Sequence, residues 1–211
     1  QKIGFDEACD VAQASEAVTF ATQEYLAAYR GPLPLLSPFC PTVVRLIQAR
    51  YPNLTDRLIP IDSPMEIAAR EIRRKRTKAL GLKREEIGVI YLTPCPAKTV
   101  AIKHPSRKRT SELDGAIAIS DIYYSLLSAI AELNDHRREE EEPVRGIGLG
   151  WPVLGGQLSC LPAESSLAVG GLANVERILE EIENEKLRDI SYVECEACPQ
   201  GCCDGPLNVD N

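Results

Sequence analysis

At 211 residues, with 44% apolar and 26% charged residues, the chain can bury a real hydrophobic core in one or two domains. A net charge of −7 argues against a nucleic-acid partner, and no run of about 18 apolar residues is present to span a membrane. The chain opens on Gln1 with no secretory pattern and no initiating Met, so a single cytoplasmic domain over 1–211, excised from a longer polypeptide, is expected.

The elements follow from periodicity and punctuation. Val11, Ala14, Val18, Ala21, Tyr25 and Ala28 recur at helical spacing and predict a helix over 11–29, stopped by Gly31-Pro32. Leu33 to Ser37 predicts a short buried strand. Pro41 suits the first turn of a helix whose buried face is Val43, Val44, Ile47 and Tyr51, ended by Pro52. Leu58 to Ile61 reads as another short strand. Ser63-Pro64-Met65-Glu66 is a cap-like start to a helix running to Leu80 and Gly81. Within it the basic stretch Arg70 to Lys78 reads as a solvated face. Ile87 to Leu92 is nearly all apolar and predicts a central strand. Ala116 to Ile119 reads as a strand, with Ser120 capping a helix through Leu133. Asn134 to Pro143, with four consecutive glutamates, reads as an exposed loop. Gly146-Ile147-Gly148-Leu149-Gly150 lacks the spacing of a dinucleotide fingerprint and reads as a turn. Leu172, Val175, Ile178, Leu179 and Ile182 pattern a helix after Gly170-Gly171, and Ile190, Tyr192 and Val193 lead a final strand. Alternating strands and helices predict an α/β fold with parallel strands flanked by helices and a ligand site at their carboxyl ends.

Chemistry is expected at the cysteines. Four of the eight fall between Val193 and Gly205: Cys195, Cys198, Cys202 and Cys203. Cys40 and Cys95 sit in similar settings, each after an apolar run and each bracketed by prolines. Cys198 and Cys202 can reach one cluster if their loop curls, and Cys40 and Cys95 can complete a four-thiolate set from neighbouring strand ends. An iron–sulfur cluster is therefore the leading expectation. A four-cysteine zinc site needs similar donors but normally a second C-x-x-C pair, and only Cys195-x-x-Cys198 has that spacing. A redox pair and a disulfide scaffold stay as further alternatives. His104 and His136 lie in polar stretches and read as surface residues, as Cys9 and Cys160 read as small buried ones. Lys98, three residues past Cys95, could hold an anionic group by charge-assisted hydrogen bonding.

The three cysteine segments resemble, in order, the signature segments of the catalytic domain of iron-only ([FeFe]) hydrogenases. The run from Cys40-Pro41 through Tyr51-Pro52-Asn53-Leu54 to Asp62-Ser63-Pro64 keeps that family's spacing, and Gly115 to Leu127 and Val193 to Gly205 also read as family segments. The resemblance implies a two-lobed α/β domain with the metal site between lobes. It makes Cys40, Cys95, Cys198 and Cys202 the ligands of a [4Fe–4S] cluster. Cys202 would also bridge to a diiron subsite, and Lys98 would hydrogen-bond a cyanide ligand of that subsite. The departures are as telling. Phe39 stands where the family has a proton-relay cysteine, Ile59 where it has a relay serine, and Thr22 and Tyr25 where it has relay glutamates. Thr93 and Glu196 replace methionines, and Ala101 replaces a glutamate. A cluster-binding domain for redox or hydrogen sensing is therefore expected. Its expected partners are ferredoxin-like electron-transfer modules or fused signalling domains. A working hydrogenase interconverting protons, electrons and H2 is the second reading, and a structural zinc module the third.

Overall fold

The computed structural model describes residues 3–106, 110–132, 146–161 and 165–209. Among them, strands β1 (Leu35–Leu36), β5 (Tyr192–Glu196) and β4 (Ser166–Gly170) form one sheet in the order β1-β5-β4, and β2 (Ile90–Thr93) pairs with β3 (Gly115–Ala118) in a second. All pairings are parallel, with Leu36 opposite Val193, Val169 opposite Cys195 and Leu92 opposite Ile117. Helices α1 (Ala12–Ala28), α2 (Pro41–Arg50), α3 (Pro64–Leu80), α4 (Pro96–Lys103), α5 (Ile119–Ala131) and α6 (Leu172–Glu183) flank them. This is the α/β architecture expected from the alternation of elements. Among the described residues no helix is long and apolar enough to cross a membrane.

β5 is the axis of the first sheet, buried along its whole length. Strand alternation sends Val193 and Cys195 to one face, where they meet Val43, Val44 and Ile47 of α2 and Val175, Leu179 and Ile182 of α6. Each of those fully buried aliphatic side chains contributes about 1.5–3 kcal/mol by leaving water. The other face carries Tyr192, which packs with Leu35, Phe39, Ile59, Trp151 and Val18 of α1. A third cluster (Met65, Ala69, Val89, Ile102, Leu113) sits under the second sheet.

Several expectations change. The strand predicted over Leu58–Ile61 is a single bridge, Leu36 to Leu58, because Pro60 has no amide to extend a ladder. β2 begins at Ile90 and is no central strand: its sheet has two strands, and Ile90 and Leu92 are exposed. β4 was not expected. Ser63 makes no side-chain cap, and Glu66 instead accepts from Ser111 Oγ and from the Glu112 amide, the latter at 2.8 Å. Ser120 lies inside α5, whose N-cap is Ala118. Within the basic face of α3, Arg73 is buried. It donates to the carbonyls of Glu112, Arg84 and Ile87 and to the Asp114 carboxylate, tying α3 to the second sheet. Cys9 is exposed, not buried, and its thiol faces Glu7. Leu133, His136, the 134–143 stretch and the side chain of Cys160 lie outside the described residues.

Candidate metal centre

Each cysteine-bearing loop leaves the carboxyl end of a parallel strand. Cys40 follows β1 and is the N-cap of α2; Cys95 follows β2 and is the N-cap of α4. Both helices begin with proline, whose fixed φ suits the first turn and whose missing amide would be unbonded there anyway. Two helix N-termini thus carry their positive ends beside two thiols. Cys198 and Cys202 lie in the turn after β5. Gly201, at φ +82°, takes a backbone conformation costly for any residue with a Cβ and bridges Val153.

The turn is tied to both sheets. The Gly171 amide donates to the carbonyls of Glu196 and Cys198, at 3.0 and 3.3 Å, beside the first sheet. On the other side the Leu207 amide donates to the Pro94 carbonyl at 2.8 Å. A Cβ on Gly205 would lie 2.5 Å from that same carbonyl oxygen, so only glycine allows this approach. The residue before Cys95 is in this way pinned to the segment after Cys202.

Electrostatic coupling links these four thiols in a chain and reaches Cys195 through Cys40 as well. Cys40 and Cys202 interact electrostatically, as do Cys202 and Cys95, and Cys95 and Cys198. Among the described residues, no three His, Cys, Asp or Glu side chains are grouped closely enough to hold a single metal ion. All seven described cysteines are free.

Burial pushes the Cys40 thiol up to about 12, helped by Glu196 and opposed by the amides of Val43 and Ala197. Burial likewise pushes Cys202 up to about 11, against the pull of Lys98. Such thiols are neutral near pH 7 and must release protons to bind metal. Lys98 Nζ donates to Cys202 Sγ at 3.0 Å. Its burial works against its charge, but Cys202, Tyr91 and Glu196 outweigh that and hold its pKa above the ordinary lysine value. Lys98 is thus placed to pair with the Cys202 thiolate once that thiol gives up its proton. Thr93 is buried, and its Oγ1 accepts from the Cys95 amide at 3.2 Å.

A cavity of about 410 Å³ opens beside Lys98 and Cys202, walled by Phe39, Met65, Tyr91 and Trp151. Cys195 is not among the residues lining it and is buried, with Cys40, in the core shared with α2 and α6.

Sequence reasoning missed two buried side chains here, Gln157 and Glu194. Gln157 follows two glycines in a turn segment, and nothing in its neighbours marks it. Glu194 lies between apolar residues of β5, where a strand alternating apolar and acidic residues looks half-solvated. Its Oε1 accepts from the Gly155 amide at 2.9 Å, and its Oε2 has no hydrogen-bond partner among the described residues. Burial is the main cause that raises its pKa from 4.5 to about 7. The folded chain thus keeps this proton to about pH 7, whereas the unfolded chain releases it near 4.5. Stability falls as pH rises through that window and levels off above it, by about 3 kcal/mol. Glu194→Gln removes this contribution. Thermal melts across the window should show wild type losing more stability than the variant, in which the buried Glu196, its pKa also raised above the usual carboxylate range, still titrates; parallel curves would refute the assignment.

Cysteine-bearing loops at the carboxyl ends of strands in two parallel sheets mark a recognisable class of α/β domain. The sequence matches the family described as "Iron only hydrogenase large subunit, C-terminal domain" over residues 1–164 and 160–206, and the chain belongs to that family. Iron hydrogenase 1 of Clostridium pasteurianum is 23% identical over 202 residues, which cover 91% of this chain and 33% of that protein. The chain thus spans about a third of that relative's length. An [FeFe]-hydrogenase HydA structure, solved to follow stepwise H-cluster assembly, superposes with a TM-score of 0.69 at 16% identity, covering 100% of this chain and 72% of that one. A variant of HydA1 from Chlamydomonas reinhardtii gives 0.68 at 15% identity, over 100% and 72% of the two chains. These structural likenesses support the fold.

Proposed function

We propose that this domain holds a [4Fe–4S] cluster through Cys40, Cys95, Cys198 and Cys202, and that it serves redox or hydrogen sensing with little hydrogen turnover. One observation carries the second half of this reading. Two of the positions where an active family member would relay protons, Phe39 and Ile59, lie in a packed apolar core next to Cys40. Phe39 is 5% exposed, with its ring edge-on to Trp151 at 5.0 Å, and Ile59 is fully buried in the same cluster. Thr22 Oγ1 donates to the Val18 carbonyl of its own helix at 2.8 Å, and Tyr25 lies against Tyr29. Hydrocarbon passes no proton.

The donor set fits the cluster. Thiolates are its usual ligands, and two helix N-termini and the Lys98 ammonium supply positive potential for an anionic group. When bound there, the cluster would supply one-electron redox chemistry. Lys98 would neutralise the Cys202 thiolate, and the apolar wall of Phe39 and Trp151 would keep water away. Ferredoxin-like modules or fused signalling domains would exchange electrons or signal with it in the cytoplasm.

The cavity beside Cys202 favours a second reading. It offers room for a diiron subsite next to the cysteine that would bridge to it, and so for a working hydrogenase. Anaerobic reconstitution with iron and sulfide analysis, maturation with the diiron cofactor, infrared spectroscopy and hydrogen-evolution assays separate the two. We expect iron and sulfide with turnover far below that of ordinary family members. Ordinary turnover refutes the sensing reading, absence of CO and CN⁻ bands refutes the working hydrogenase, and zinc without sulfide overturns both.

A further inference from the structure

Gln157 belongs to no cysteine loop, yet it is 3% exposed and joins the two strands that deliver Cys40 and Cys198. Its Oε1 accepts from Ser37 Oγ at 2.9 Å and from Tyr192 OH at 3.1 Å, while its Nε2 donates to Glu196 Oε1 at 3.1 Å. Ser37 lies between β1 and Cys40; Tyr192 opens β5 and Glu196 closes it. Ser37, Tyr192 and Glu196 are themselves buried. Two hydroxyl donors at the carbonyl end of the amide and one carboxylate acceptor at the other fix which way the amide points. With Oε1 of Glu196 held this way, its Oε2 is 4.0 Å from Cys202 Sγ.

We propose that Gln157 is a positioning residue of the cofactor site: it aims the Glu196 carboxyl group at the sulfur of Cys202 and so sets the electronic environment of the bound cluster. The inference rests on the cluster-binding reading above. Hydrogen bonds and charge around cluster sulfurs are principal levers on reduction potential, and groups outside the ligand set orient those that touch it. Because Gln157 touches no candidate ligand, its loss should alter the cluster's properties more than its retention.

The test compares reconstituted wild type with Gln157→Leu, Tyr192→Phe and Ser37→Ala. It reads iron and sulfide content, the EPR spectrum of the reduced protein and the midpoint potential. Gln157→Leu should retain wild-type iron and sulfide but show a shifted potential and changed g-values. Tyr192→Phe and Ser37→Ala, each removing one bond to Oε1, should give smaller shifts in the same direction. A Gln157→Leu protein with wild-type spectrum and potential overturns the inference and leaves cluster binding standing. Wild type that takes up no iron and sulfide overturns the cluster-binding reading and the inference with it. If Gln157→Leu does not fold, unchanged potentials in both hydroxyl variants overturn the inference, and shifted ones support it.

Discussion

Cys198→Ala or Cys202→Ala abolishes iron and sulfide retention, and Cys40→Ala and Cys95→Ala do the same, while Cys9→Ala retains both in full. The separation follows from placement. The first four thiols lie at the ends of strands from both sheets and are linked by electrostatic coupling, whereas Cys9 is exposed beside Glu7. A cube held from fixed backbone has no spare donor when one ligand is cut back to a methyl group. Cys195 is fully buried within β5 rather than in the loop beyond it. Lys98→Ala is a milder change: it removes a partner of one ligand, an effect of about 10–100-fold in metal affinity. Visible absorbance with iron and sulfide analysis of anaerobically reconstituted protein reads all six variants. Equal cluster content in Cys9→Ala and Cys202→Ala would sink the ligand assignment.

The parts of this site visible in the sequence are those with local causes. Cys40-Pro41 and Cys95-Pro96 announce a strand end, an N-cap and a first helical turn within two residues, and α2 and α4 begin there. Gly81 ends α3 in the left-handed conformation its sequence predicts. The spacing of Val175, Leu179 and Ile182 places one face of α6 in the core. What stayed hidden depends on distant partners. Arg73 looks like its solvated neighbours until three carbonyls from two other segments close around it. Glu66 has the spacing of a capping box, but the amide it binds belongs to Glu112, 46 residues away. Glu194 and Glu196 are charged residues in a fully buried strand, tolerated because the 155–157 turn supplies an amide to one and the Gln157 side chain to the other. β4 is short and rich in small residues, so its strand character comes from pairing with β5 and not from its own pattern.

Phe39→Ala should destabilise the domain by about 3–5 kcal/mol, the range for emptying a buried aromatic site. The ring is 5% exposed, meets Trp151 edge-on at 5.0 Å and packs in one cluster with Leu35, Ile59 and Tyr192, leaving neighbours on β1 and β5 that cannot easily collapse into the space. Urea denaturation with matched slopes for the two proteins measures the loss, and a change under about 1 kcal/mol would show that the ring is not part of the core. Phe39→Cys is the more informative partner. It places a thiol where the family resemblance puts a proton-relaying one, at a smaller cost in packing. It should nevertheless leave hydrogen turnover low, because a relay conducts only if every link can exchange a proton. Ile59, in the same cluster, stays fully buried hydrocarbon, and Thr22 still donates to its own helix. Matured Phe39→Cys protein that evolves hydrogen at ordinary family rates would show that the apolar core is not the barrier. Turnover that rises only when Ile59→Ser is added would locate the barrier in the two hydrocarbon side chains together.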